Sequence, residues 1–136
     1  MSVMVLFASG CKDPILGCLD NTAVNYSDAV TEDDGTCVYT IIKKWDILDM
    51  YVNGVEISSP GESIEFFSDY TYSVITAAGL ETGNYLFSNY VLTMEALSSG
   101  PSISYTGMWN ITVFNGSQLT ISGYFGNNSV EIIMGS

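Results

Sequence analysis

The chain has 136 residues, of which 15 are acidic and three are basic, so that the formal net charge is -12, and it contains no histidine. This charge repels phosphate backbones and anionic membrane surfaces, which argues against nucleic-acid binding. The absence of histidine removes the usual general base and the commonest zinc ligand. We therefore expect a protein that is not an enzyme.

The first ten residues are apolar and turn small immediately before Cys11, as at the end of a secretory signal. The run Ala8-Ser9-Gly10-Cys11 resembles the lipobox of bacterial lipoproteins, whose cysteine becomes acylated. The resemblance implies that residues 1–10 end a signal peptide, that Cys11 carries a membrane anchor, and that residues 11–17 form a tether. It places the protein in the bacterial cell envelope, anchored at the outer membrane. The alternatives are an edge strand or an ordinary cleaved signal followed by a free thiol.

Residues 17–39 contain the pattern GC-x-D-x-x-A-x-N-Y followed by D-D-G-x-C. The pattern resembles a short cysteine-flanked repeat of secreted and surface proteins from marine and Bacteroidetes-type bacteria, although Asn21 stands where that repeat usually has proline. The resemblance, together with a count of three cysteines, implies that residues 18–39 are an acidic loop closed by a disulfide between Cys18 and Cys37. Such a bond requires an oxidising compartment.

This loop is rich in side chains with hard oxygen atoms, which are the ligands that calcium prefers. The candidate calcium ligands are Asp20, Asn21, Asn25, Asp28, Asp33 and Asp34. The spacing is not that of an EF-hand. The alternative is that these side chains cap turns by accepting hydrogen bonds from their own backbone.

From Thr40 onward, turn signals divide the chain into eight or nine strand-sized pieces. The stretch Lys44–Ile57 predicts a long strand with a bulge, because its apolar positions change parity after Ile47, and then a type I′ hairpin at Asn53-Gly54. Residues 77–83 are predicted to be a loop. The strands are expected at residues 41–52, 55–58, 63–67, 70–76, 84–87, 91–97, 105–114, 118–124 and 130–134. Short connections between so many strands predict an all-β protein with an antiparallel up-and-down barrel.

Several short motifs of this region occur in a familiar order. They are Lys44-Trp45, Asn53-Gly54, FFSDYTY at residues 66–72, ETGNY at residues 81–85, and Trp109 followed by Leu119-Thr120-Ile121. Through them the chain resembles the small lipocalin-like lipoproteins of Bacteroidetes, with departures at Lys43 and at Tyr70, where the family has glycine. The resemblance implies a lipocalin-like barrel over residues 40–136, with Trp45 packed across its closed end.

Two functions follow. The barrel interior could bind a small apolar or amphipathic ligand, or be filled by its own side chains. The candidate lining residues are Trp45, Ile47, Phe66, Tyr72, Tyr85, Met94, Trp109 and Ile111. Alternatively, the protein is a structural or interaction module that presents an acidic surface with exposed tyrosines, such as Tyr51, Tyr90 and Tyr124, to an envelope protein or a glycan.

Overall fold

The computed structural model describes residues 10–57, 61–98 and 104–136. The chain forms two compact units, the first ending at Val38 and the second running over Tyr39–Ser136. Regular structure in the described residues is entirely β. The strands are β1 (Leu16–Gly17), β2 (Glu32–Asp33), β3 (Lys44–Val52), β4 (Val55–Glu56), β5 (Ser63–Phe66), β6 (Thr71–Thr76), β7 (Gly79–Ser88), β8 (Val91–Ala96), β9 (Gly107–Phe114), β10 (Gln118–Phe125) and β11 (Asn128–Gly135).

The first unit is a loop closed by the disulfide between Cys18 and Cys37, whose Cα atoms are 4.8 Å apart. The predicted bond is therefore confirmed. The only regular structure described in this unit is the two-residue parallel pair of β1 and β2. Because so short a pair buries little surface, the cross-link is the main constraint on the loop, and closing a loop of this size contributes about 3 kcal/mol in the chain-entropy model.

The second unit is a closed antiparallel barrel of eight strands, as the sequence predicts. Strands β5 to β11 pair in sequence order, β3 pairs with β5, and β11 returns to pair with β3 and closes the sheet. Strand β4 is a short hairpin partner of β3. Apart from the connection between β4 and β5, which both pair with β3, each connection joins neighbouring strands, which is the up-and-down topology.

The bulge expected in β3 is present at Leu48. Ile133 of β11 lies opposite Asp49, whereas Met134 lies opposite Ile47, so the register shifts by one residue and Leu48 is left over. Trp45 and Ile47 before the bulge and Met50 after it all face the interior, although they differ in parity. The bulge therefore lets a curved strand keep its apolar side chains inside.

Two hairpins of the barrel have two-residue turns with positive φ at both positions. Asn53 and Gly54 have φ values of 51° and 78°, which confirms the predicted turn between β3 and β4. Asn89 and Tyr90, with φ values of 51° and 60°, join β7 to β8 in the same way. Glycine usually occupies the second position of such turns, so Tyr90 is held in a conformation that costs an L-residue free energy.

The predicted loop over residues 77–83 is wrong, because β7 begins at Gly79 and only Ala77 and Ala78 form the turn. The polar run Glu81-Thr82-Gly83 reads as a loop in sequence. In the structure it pairs with β6 along its full length, and Glu81 points inward. The end of the predicted strand at 55–58 and residues 1–9 of the predicted signal peptide lie outside the described residues.

Candidate functional site

The barrel interior contains all eight side chains that the sequence proposes as a ligand pocket. They belong to one cluster of buried residues, together with Ile41, Met50, Ile64, Val74, Leu92, Tyr105, Leu119, Ile121, Val130, Ile132 and Met134. Since an interior of eight strands is just wide enough for side chains or one small ligand, these residues occupy the space that a ligand would need.

Both tryptophans are fixed inside the barrel by the same hydrogen bond. Trp45 Nε1 donates to the carbonyl of Ile41, and Trp109 Nε1 donates to the carbonyl of Tyr105, each at 2.9 Å. In each case the acceptor lies four residues earlier in the chain. The indole rings can therefore be completely buried without leaving a donor unpaired.

Glu81 is a carboxyl group in the apolar interior, with only 1% of its surface exposed. Tyr72 donates its phenol hydrogen to Glu81 Oε1 at 2.8 Å, and the backbone N–H of Tyr105 donates to the same oxygen at 3.1 Å and to Oε2 at 3.4 Å. Burial of a carboxyl group is costly unless its oxygens accept hydrogen bonds, and these donors meet that need.

The environment of Glu81 also acts on the two tyrosines. Burial raises the pKa of Tyr72, and its hydrogen bond to Glu81 and the nearby charge of Glu81 raise it further. Burial also raises the pKa of Tyr105, followed by the charges of Glu62 and Glu81. Both phenols are therefore held in the protonated form.

Gly83 makes room for this arrangement. A Cβ atom at Gly83 would lie 2.7 Å from Cε1 of Tyr72 and 2.1 Å from the carbonyl oxygen of Glu95. The ring of Tyr72 thus packs directly on the backbone of β7, two residues beyond Glu81. A larger residue at this position would displace the tyrosine that donates to the buried carboxyl group.

The loop of the first unit uses its polar side chains as turn caps. Asp20 Oδ1 accepts hydrogen bonds from the N–H and the hydroxyl of Thr22. Asn25 bridges two strands of the loop, since its Nδ2 donates to the carbonyl of Thr36 at 2.7 Å and its Oδ1 accepts from the N–H of Val38 at 2.8 Å. These bonds fit the capping alternative.

The other calcium candidates give a similar picture. Asp33 Oδ1 accepts from the N–H of Gly35 at 2.7 Å, and Asp34 caps the next turn in the same way. Asn21 and Asp28 are exposed. Within the described parts of the chain, no three His, Cys, Asp or Glu side chains are close enough together to hold a metal ion. Calcium binding by this loop stays a prediction.

Cys11, the predicted lipidation site, is an exposed free cysteine. The residues that would form the rest of the lipobox, Ala8 and Ser9, lie outside the described residues. None of the described segments is a helix of the length and apolar character needed to cross a membrane.

On its outer wall the barrel has a groove, here called the Tyr51 groove, of about 360 Å³. Its lining residues are Tyr51, Gly54, Asn110, Ser122, Gly123, Tyr124, Ser129, Val130 and Glu131. In its lining the groove combines two large rings, Tyr51 and Tyr124, with small residues such as Ser122 and Ser129. Its volume is at the low end of the range for small-molecule sites.

Four strands align the polar side chains of this groove in a single cross-strand row. Asn110 of β9 lies opposite Ser122 of β10, Ser122 opposite Glu131 of β11, and Glu131 opposite Tyr51 of β3. The row continues to Glu56 of β4, which lies opposite Tyr51 on its other side. Directly opposite residues of an antiparallel pair have neighbouring side chains.

Acidic groups dominate the electrostatics around Tyr51. Asp49 raises the pKa of Tyr51 most, and partial burial, Glu56 and Glu131 raise it further. The one ion pair among the described residues joins Lys44 to Asp46 at 3.4 Å. The carboxylates around Tyr51 are therefore not neutralised by a lysine within the described structure.

A second depression of about 450 Å³ lies on another part of the outer wall. It is lined by Asp69, Tyr70, Asn84, Tyr85, Leu86, Thr93 and Glu95. Tyr70, which replaces the glycine of the resembled motif, has a φ of 65° and is largely exposed, with its ring 6.0 Å from that of Tyr85. Both of these concave sites on the outer surface therefore combine aromatic and acidic side chains.

Sequence reasoning gave the interior residues but not these outer sites. It named Tyr51 and Tyr124 as exposed tyrosines, and the structure brings both to one groove. It missed Glu131, Ser122 and Asn110, because their proximity depends on strand register. In the sequence, Glu81 is a single acidic residue between two apolar segments, and this pattern could have indicated a buried carboxyl group. The neighbouring residues Thr82 and Gly83 favoured the prediction of a loop instead.

Comparison of the chain with protein-family models and with curated proteins gives no match. Among solved structures, it is similar to a DUF4847 family protein from Bacteroides vulgatus ATCC 8482, with a TM-score of 0.49 and 12% sequence identity, over 70% of this chain and 92% of that one. These comparisons assign no family to the chain. Its fold defines it as a disulfide-containing, small all-β barrel protein, a class that fits either ligand binding or a structural role.

Proposed function

We propose that this protein is a non-catalytic interaction module of the bacterial cell envelope, which recognises an envelope protein or a glycan through the outer wall of its barrel. The observation that carries the proposal is the contrast between the two surfaces of the sheet. The interior is filled by bulky buried side chains, whereas the outer wall has two grooves with tyrosines and carboxylates. Aromatic side chains are enriched at sites of protein recognition.

The proposal includes a lipid anchor on Cys11, followed by the disulfide-closed loop as a spacer between the membrane and the barrel. It is supported by the resemblance of residues 8–11 to a lipobox, by the exposed thiol of Cys11 and by the Cys18–Cys37 bond, which is typical of an oxidising compartment.

The second candidate function is a lipocalin-like carrier that binds a small apolar or amphipathic molecule inside the barrel. It is supported by the position of all eight predicted lining residues in one interior, where Glu81 and Tyr72 supply polar groups. Ligand sites of this kind combine an apolar wall with a few polar groups. A carrier would require the packed side chains to move apart.

Native mass spectrometry of the purified protein, followed by gentle denaturation, separates the two functions. We expect the same mass before and after unfolding, because the interior is occupied by side chains. A small apolar or amphipathic molecule that accompanies the folded protein and is released on unfolding would favour the carrier instead.

A further inference from the structure

We propose that the Tyr51 groove binds the cationic side chain of a protein partner, that is, the ammonium group of a lysine or the guanidinium group of an arginine. The inference rests on the proposed function and specifies the ligand of one of its two grooves. Three properties of the groove support it: the charge of its rim, the nature of its walls and its size.

The charge around the groove selects a cation. Tyr51 has a glutamate directly opposite it on both sides, Glu131 on β11 and Glu56 on β4, and Asp49 lies two residues earlier on β3. The only ion pair in the described structure lies elsewhere, between Lys44 and Asp46. A positive group entering the groove would therefore meet carboxylates that no described lysine neutralises, whereas a phosphate or carboxylate ligand would be repelled.

The walls of the groove suit the same ligand. Tyr51 and Tyr124 both line the groove, and 75% of the surface of Tyr124 is exposed. A tyrosine ring attracts a cation through the negative face of its π-system, and it also packs against the alkyl stem of lysine or the plane of arginine. Ser122 and Asn110, which also line the groove and lie opposite one another, add side-chain oxygens that can accept hydrogen bonds from an ammonium or guanidinium group.

The size of the groove limits the ligand. A volume of about 360 Å³ admits one or two extended side chains, and not a folded element. A neutral sugar would fit by size, but it would leave the carboxylates of Glu56 and Glu131 without a positive partner. A basic side chain uses both the rings and the charge.

The test is an NMR titration of the full-length protein in which the backbone amide chemical shifts are recorded. The ligands are a capped Gly-Lys-Gly peptide, its arginine analogue and its norleucine analogue. We expect the lysine and arginine peptides to shift the amides of Tyr51, Ser122, Tyr124 and Glu131. The norleucine peptide, which has the alkyl stem without the charge, should not shift them. The expected affinity is weak, since exposed ionic and cation–π contacts each contribute little.

Variants distinguish this site from general attraction to an acidic protein. Glu131→Gln and Tyr124→Ala are each expected to weaken binding by about fivefold, because each removes one exposed ionic or cation–π contact. The matched control is Glu32→Gln, which removes the same charge from an exposed residue of the first unit and should leave the affinity unchanged. Equal losses in Glu131→Gln and Glu32→Gln would overturn the inference.

Two other outcomes would also overturn it. One is the absence of amide chemical-shift changes at high concentrations of both basic peptides. The other is chemical-shift changes confined to the second depression, which Tyr70 and Glu95 line. The second result would leave the proposed function intact, because the partner would still be recognised on the outer wall. The proposed function itself fails if native mass spectrometry finds a small apolar or amphipathic molecule that is released when the barrel unfolds.

Discussion

Tyr72 donates its phenol hydrogen to Oε1 of Glu81 at 2.8 Å, across the pair of strands β6 and β7 and inside an otherwise apolar barrel. The pair is the polar centre of the core, because the N–H of Tyr105 donates to the same carboxyl group. Removal of one donor from a buried acceptor costs more than the loss of a hydrogen bond near water, since the acceptor cannot recruit solvent.

We expect Tyr72→Phe to lower the free energy of unfolding by about 1–3 kcal/mol. The matched control is Tyr85→Phe, whose hydroxyl donates to the partly buried carbonyl of Phe67 at 2.9 Å, and which should lose only about 1 kcal/mol. Urea unfolding followed by tryptophan fluorescence measures both. Equal losses of unfolding free energy in the two variants would mean that the hydrogen bond to Glu81 stabilises the protein no more than the hydrogen bond to Phe67 does.

A second prediction concerns alkaline pH. Folding raises the pKa of Tyr72 and Tyr105, and burial is the largest cause at both. The pKa values of Tyr51 and Tyr85 are raised in the folded protein as well. The unfolded chain therefore releases phenol protons above about pH 10 that the folded protein retains. This contribution to stability is fully present below that pH, and is lost as the pH rises through the folded pKa values.

Urea midpoints between about pH 8 and pH 11 should consequently fall with increasing pH, and Tyr72→Phe should show a shallower fall because it removes one of the titrating groups. A midpoint that is constant over this range, or an equal slope in the variant, would contradict the assignment.

The turn between β7 and β8 offers a stabilising substitution. Tyr90 has a φ of 60° and a largely exposed side chain, so glycine can replace it at little cost in packing. We expect Tyr90→Gly to raise the free energy of unfolding by about 1 kcal/mol, because glycine adopts this conformation without steric penalty. Tyr90→Ala keeps the penalty and should not stabilise the protein. An equal increase in the free energy of unfolding in Tyr90→Ala and Tyr90→Gly would show that the positive φ angle is not the cause.

The two roles considered for the acidic loop make different predictions at Asp34, whose Oδ1 accepts from the N–H of Thr36 at 3.0 Å. Asparagine keeps that acceptor oxygen and alanine does not. If the side chain is a turn cap, hydrogen exchange at Thr36 should accelerate in Asp34→Ala but not in Asp34→Asn, with or without calcium. Protection that depends on calcium, and is lost in Asp34→Asn, would support a calcium site instead.

Lipidation is tested in a bacterial host fed with an alkyne-labelled fatty acid. We expect the full-length protein to incorporate the label and to sediment with membranes, and Cys11→Ser to lose both properties. The double variant Cys18→Ser/Cys37→Ser should keep the label, because those cysteines form the disulfide. Label retained in Cys11→Ser would exclude Cys11 as the acylated residue.

The amino-acid sequence was sufficient for features that depend on near neighbours. Alternating apolar residues predict strands that have one buried face, and the change of parity around Leu48 predicts the bulge that is found there. Asn53-Gly54 predicts its turn because few other pairs adopt two positive φ angles. The same local reasoning failed at Glu81, since composition cannot show that a polar residue will find one donor on the neighbouring strand and a second one at Tyr105.

Features that depend on strand register were decided only by the tertiary structure. Closure of the barrel by β11 and β3 places Glu131 beside Tyr51, and the pairing of β10 with β11 brings Ser122 next to them. A shift of one residue in either register would turn these side chains to the other face of the sheet. The sequence by itself therefore determined a strand-rich, acidic chain with its turns and its interior residues. The groove arises only when β11 pairs with the distant strand β3, because no local pattern specifies which residues of the two become opposite one another. The contact between Tyr72 and Glu81 depends in the same way on register, although it lies within the single hairpin of β6 and β7.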